Sequence, residues 1–89
     1  MTRKAEMIEE SIRWVLSDVL GISRERAATF TTDTGLFGSL PELDSMAVAN
    51  LLTELEDRLG IVIDDDEVDG EMLETFGSLV GFAIRKLPG

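Results

Sequence analysis

The chain is expected to fold as a small all-α bundle, with three main helices, one short helix and a long structured loop between the first two main helices. Three observations lead there. The chain has only 89 residues, with 44% hydrophobic, which is room for a single domain with a modest core. Three segments repeat apolar residues with helical period. The one run that alternates like a strand, Ile61-Val62-Ile63, has no partner strand to pair with. The whole chain, 1–89, reads as one domain, with no internal repeat and no low-complexity linker.

Each element follows from its residues. In the first helix, Ile8, Ile12, Val15, Leu16, Val19 and Leu20 fall on one face. Thr2 is placed to cap it, Gly21 to stop it, and Glu9 and Arg13 stand at i,i+4 to support it. In the second, Val48, Leu51, Leu52, Leu55 and Leu59 share a face, with Asp44 as cap and Gly60 as stop. The third carries Phe76, Leu79, Val80, Ala83, Ile84 and Leu87. Thr75 caps it, Arg85 and Lys86 complement its C-terminal dipole, and Pro88 ends it. Between the last two, a short helical turn is expected around Asp65 to Asp69, held by Val68 and Met72. The 21–43 connection is long for so small a domain. It contains Ile22, Phe30, Leu36, Phe37, Leu40 and Leu43 and is expected to pack over the helices, with Ser23 capping one turn through Arg26.

Composition excludes several functions. There is no cysteine and no histidine, hence no disulfide, no thiolate, no Ser-His or Cys-His nucleophile pair and none of the commonest zinc ligands. This argues against a conventional enzyme. Eighteen acidic against eight basic residues give a net charge of −10, which repels nucleic acid and anionic membranes and favours a soluble monomer. The N-terminus has no uninterrupted apolar signal region, and the Leu79–Ile84 stretch is too short to span a bilayer. The chain therefore reads as cytoplasmic. The acidity is concentrated: residues 42–74 hold twelve acidic residues against Arg58 alone, a net of −11. The remainder is close to neutral, so the middle of the chain is expected to meet basic partners.

Ser45, directly after Asp44 at the predicted start of the second helix, is the residue most open to chemistry. On spacing alone it has two readings. One is an ordinary helix opening in which Asp44 caps free N–H groups. The other is a hydroxyl beside exposed N–H donors, a favourable position for a phosphodiester, modified by another enzyme because nothing nearby activates it. Weaker signals are also present. Asp65-x-Glu67-x-Asp69-Gly70 matches the first half of an EF-hand loop, but its twelfth position is Phe76, so no metal site is assigned. Trp14 lies off the apolar stripe as a rim residue. Phe30, Phe37, Phe76 and Phe82 are expected at the core or its edge, where some could line a cavity between the helices.

Leu43-Asp44-Ser45-Met46, followed by Leu51-Leu52-Thr53-Glu54-Leu55-Glu56-Asp57-Arg58-Leu59-Gly60-Ile61, resembles an acyl carrier protein. The loop Thr32-Asp33-Thr34-Gly35-Leu36-Phe37 and the final helix opened by Thr75 extend that resemblance over nearly the whole chain. The chain departs from the family pattern in having Glu42 where glycine is common and Met46 where leucine is usual. Ala47 and Asn50 stand where two acidic residues are often found. The resemblance implies that Ser45 carries 4′-phosphopantetheine, attached by a phosphopantetheinyl transferase from coenzyme A with Mg²⁺. It implies that Asp44 is both helix cap and motif residue. It further implies delivery of acyl thioesters to enzymes of fatty-acid, lipid or polyketide-type biosynthesis. Their basic docking patches would meet Glu54, Glu56, Asp57 and the Asp64–Glu67 run, with Met46 as apolar anchor. The alternatives are a stand-alone aminoacyl or peptidyl carrier of a nonribosomal pathway, and an unmodified acidic helical interaction module. Because the −11 of residues 42–74 is self-repelling, the thermal midpoint should rise with ionic strength or Mg²⁺; a flat response in a salt series would contradict this.

Overall fold

The computed structural model describes residues 3–87. It contains α1 (Arg3–Leu20), α2 (Arg24–Ala28), α3 (Ser45–Leu59) and α4 (Phe76–Lys86), with a 3₁₀ turn at Asp65–Glu67 and no strand among the described residues. The expected all-α bundle is present, with α1 packing against each of the other three helices. The core is built from the predicted faces. Ile12, Val15 and Leu16 of α1, Leu51 and Leu55 of α3, and Phe76 and Leu79 of α4 are essentially fully buried, together with Leu36 from the connection.

The helix ends follow local hydrogen bonding. Asp44 Oδ1 accepts from the Ala47 N–H at 2.9 Å, and Thr75 Oγ1 accepts from the Ser78 N–H at 3.0 Å, each satisfying a donor that a helix start leaves open. Gly60 closes α3 in the left-handed region at φ 66°, where a side chain would be strained. Thr2 and Pro88, assigned to the outer ends of the first and last helices, lie outside the described residues.

Three details differ from the sequence expectation. Arg13 does not pair with Glu9; its Nη2 donates to the Phe30 carbonyl at 3.0 Å, and its guanidinium lies 4.9 Å from the Phe76 ring centre, a cation–π contact. The turn expected over Asp65–Asp69 is shorter, because Val68 leaves helical geometry at ψ 117° to pack against the core. The connection holds a complete short helix, α2, whose cap is the expected one: Ser23 Oγ accepts from the Arg26 N–H at 3.0 Å.

The connection is ordered because it buries Ile22, Phe30, Leu36 and Leu43, each worth roughly 1.5–3 kcal/mol relative to exposure. It is also tied to the start of α4 by backbone hydrogen bonds. Leu36 N–H donates to Glu74 O at 2.9 Å, Phe37 N–H to Leu73 O at 2.9 Å, Phe76 N–H to Thr34 O at 2.8 Å, and Gly77 N–H to Thr32 O at 3.0 Å. Gly77 permits this approach, since a Cβ there would overlap the Thr32 methyl and lie 2.8 Å from the Thr32 carbonyl oxygen. Two ion pairs add ties. Arg26 Nη1 meets Glu42 Oε2 at 2.7 Å, and Lys86 Nζ meets both Glu67 carboxylate oxygens at 2.8 and 2.9 Å. Hydrogen bonds from Lys86 and then from the Asp64 N–H hold the Glu67 carboxyl below its ordinary value.

Gly77→Ala should destabilise the fold by about 1–3 kcal/mol, because the overlap with a fixed carbonyl exceeds the gain in helix propensity. Gly81→Ala, whose Cβ would meet nothing nearer than Arg85 Nη1 at 3.6 Å, should stabilise by about 0.5–1 kcal/mol. Urea titrations of both variants check this, and equal shifts would contradict it. A carboxyl held low stabilises the fold above its unfolded value and loses that contribution as pH falls through its folded value. The stability difference between wild type and Lys86→Gln should therefore be present at neutral pH and shrink as pH falls below the carboxylate's ordinary 4.5. A difference constant across that range would contradict the pairing.

Candidate functional site

Ser45 is the first residue of α3, and its side chain is exposed. Asp44 directs its carboxylate onto the Ala47 N–H, and the Val48 N–H is taken by the Asp44 carbonyl at 2.9 Å. The N–H groups of Ser45 and Met46 are left without an acceptor among the described residues, and so is Ser45 Oγ. A hydroxyl free of internal bonds, beside open donors at the positive end of a fifteen-residue helix, suits a phosphoryl group. Among the described residues no base hydrogen-bonds to Ser45 Oγ, so no neighbouring side chain activates the hydroxyl as a nucleophile.

Two clefts open at this hydroxyl. One, of about 260 Å³, is walled by Phe37, Val48, Val68, Gly70 and Leu73. The other, of about 570 Å³, is a shallower trough along the 38–44 segment, with Phe37 again on its edge. Phe37 itself is 46% exposed. This corrects its assignment to the core or its edge; Phe30, Phe76 and Phe82 are buried as expected. A signal for this was present. The glycine that follows Leu36-Phe37 marks a turn; Phe37 lies within that turn, and only Leu36 before it reaches the core. A larger cleft of about 740 Å³ lies between the 66–72 segment and α4, lined by charges of both signs such as Asp66, Glu67, Arg85 and Lys86, and does not reach Ser45.

The other site residues do not form one cluster. Met46, beside Ser45, is 77% exposed. Met46, Asn50, Thr53 and Asp57 recur at helical spacing along α3, which puts Met46 and Asp57 on one stripe. Glu54 is flanking that stripe and is bound to Arg58 Nε at 3.1 Å, while Arg58 Nη2 also reaches Asp18 at 2.8 Å. Glu56 lies on the opposite flank of the stripe and serves the fold: its Oε2 accepts from the Ile63 N–H at 2.7 Å. Asp57 is exposed and without a partner among the described residues. In the acidic run, Glu67 is held by Lys86, and Asp69 Oδ1 accepts from the Met72 N–H at 2.9 Å. Among the described residues no three carboxylates converge as a metal-binding group. Trp14 is at the rim, with the Arg24 guanidinium stacked 4.5 Å from its ring centre.

Comparison with known proteins gives one consistent result. The family described as phosphopantetheine attachment site matches residues 10–83. The chain is 32% identical over 63 residues to the acyl carrier protein of Nitratidesulfovibrio vulgaris strain DP4, covering 67% of this chain and 74% of that protein. The Hildenborough strain's acyl carrier protein matches to the same extent, 32% over 63 residues. In three dimensions the fold is similar to the solution NMR structure of a holo acyl carrier protein from Nitrosomonas europaea. The TM-score is 0.80 at 45% identity, covering 88% of this chain and 93% of the other.

Proposed function

We propose, since this chain belongs to the phosphopantetheine-attachment family, that its prosthetic arm is joined to Ser45 Oγ through a phosphodiester. The family is one of carriers, and phosphopantetheine is its prosthetic group. The observation that carries the choice of Ser45 is its exposed hydroxyl, free of internal hydrogen bonds, at the head of α3. The residues fit the group: two open backbone N–H donors face the space a phosphate would take, and the Asp44 carboxylate is turned onto Ala47. When bound, the arm's thiol holds an acyl group as a thioester and supplies the sulfur that this cysteine-free chain lacks.

The chain's own residues place and present that arm. In the transferase site, with Mg²⁺, Ser45 Oγ forms a bond to the β-phosphorus of coenzyme A. The P–O bond of the pyrophosphate bridge would break as this bond forms. The hydroxyl proton would pass to a base of the transferase, and the adenosine-bearing half of coenzyme A would leave with the bridging oxygen. Asp44 sets the helix start that puts the hydroxyl outside. Met46 offers an apolar contact next to Ser45, and Asp57, on the same stripe, offers a free carboxylate to a basic docking surface. Glu54 adds charge at the edge of that stripe. Glu56, tied to Ile63, contributes field rather than direct contact. Contacts of this kind govern on-rate and specificity more than affinity, which suits a carrier that must also leave. Partner enzymes are thus a phosphopantetheinyl transferase and acyl-loading or acyl-transferring enzymes of fatty-acid, lipid or polyketide-type synthesis. The chain itself acts as a non-catalytic monomer in the cytoplasm, a reading supported by its charge of −10 and its lack of histidine and cysteine.

Intact mass spectrometry after incubation with coenzyme A, Mg²⁺ and a broad-specificity phosphopantetheinyl transferase tests this. Wild type should gain a single phosphopantetheinyl group. Ser45→Ala, which keeps the Asp44 cap and hence the helix, should gain none while retaining its helical circular dichroism. No gain on a folded, initially unmodified wild type, or equal gain on the variant, would overturn the assignment and favour an unmodified acidic interaction module.

A further inference from the structure

We propose that Phe37 is an arm-positioning residue, whose ring divides two clefts that meet at Ser45 and so sets which of them receives the arm and its cargo. The inference rests on Ser45 being the attachment residue. Besides Ser45 itself, Phe37 is the residue that borders both clefts. The two spaces differ in character. The smaller is walled mainly by Val48, Val68 and Leu73, with Asp69, whose Oδ1 is taken up by the Met72 N–H, also lining it, and it suits an apolar chain. The larger is an open trough past Gly38, Ser39 and Pro41 that leads to solvent. A chain attached at Ser45 can lie in either, and the Phe37 ring stands between them.

The backbone that carries the ring is held in place. The Phe37 N–H donates to the Leu73 carbonyl at 2.9 Å, so the ring is tied to a residue that walls the apolar cleft. Leu36, fully buried, anchors the preceding position through its N–H to Glu74 O at 2.9 Å. On the other side, Gly38 turns the chain at φ 89°, and both Ser39 and Leu40 N–H groups return to the Leu36 carbonyl, at 3.0 and 2.8 Å. With Leu36 turned inward and Gly38 reversing the chain, the Phe37 side chain has no inward path. An aromatic ring half exposed beside Ser45 contributes little to the core, and its place on both clefts gives it a share in controlling the arm.

The test compares phosphopantetheinylated wild type, Phe37→Ala and Phe37→Leu, each also loaded with an octanoyl group. In wild type, attaching the octanoyl arm should shift backbone amide resonances of Val48, Val68 and Gly70. In Phe37→Ala the changes should extend to Gly38, Ser39 and Leu40. Cleavage of the thioester by hydroxylamine should then rise roughly two- to fivefold as the arm spends more time in the open trough. Phe37→Leu, keeping a smaller apolar wall, should fall between, and it serves as the decisive variant if the alanine form does not fold. Matching thermal midpoints separate this from a loss of stability. Identical resonance changes and cleavage rates in folded variants would overturn the role of Phe37. Failure of wild type to accept the arm, seen in its mass, would instead overturn the assignment of Ser45 and the inference with it.

Discussion

The backbone clasp between residues 32–37 and 73–77 is the constraint on which the rest of this small structure depends. Its four hydrogen bonds join the middle of a long connection to the start of the last helix, and the Gly77–Thr32 contact brings the two segments closer than any side chain would allow. A connection of this length would otherwise be an entropic liability. Held in this way, it delivers Leu36 to the core and leaves Phe37 at the surface beside Ser45. The same clasp leaves Thr75 free to cap α4, and it supplies Leu73 as a wall of the cleft at Ser45.

Carrier function places opposed demands on the charges of the chain. A net charge of −10 attracts basic partners at long range but strains the fold. The structure answers by using several acidic residues internally. Glu56 holds the strand-like exit from α3, Glu67 ties the 3₁₀ turn to α4, and Glu42 fastens the end of the connection to α2. The exposed Arg26–Glu42 pair is individually weak; with the two part-buried contacts it joins segments that are distant along the chain. The carboxylates left unengaged, Asp57 among them, are then available to a partner.

Helical periodicity and capping chemistry made most of the architecture legible. The buried faces of α1, α3 and α4 are the apolar stripes read from spacing, and Asp44, Thr75, Ser23 and Gly60 cap or stop their helices as their residue types require. The geometry around Ser45 was legible because it depends on local structure, a cap and a helix start within a few residues; its reading as the attachment residue came from the family resemblance. The features that escaped prediction depend on contacts between distant residues. Arg13 abandons Glu9 because the Phe30 carbonyl and the Phe76 ring are brought to it by the packing of the connection. Phe37 is exposed because the clasp gives the core position to Leu36. Glu56 reads as one more acidic residue on a helix surface until the Ile63 N–H arrives beside it. No spacing rule along α3 reports that contact.

The central claim is that a helix start with an unpartnered serine hydroxyl carries the prosthetic arm. Several other serines are present, and Ser39 is exposed within the same trough. Tandem mass spectrometry of peptides from the holo protein distinguishes them directly. The fragment series should place the phosphopantetheinyl group on Ser45 and leave Ser39 unmodified; a group located on Ser39 or on any other residue would contradict the account.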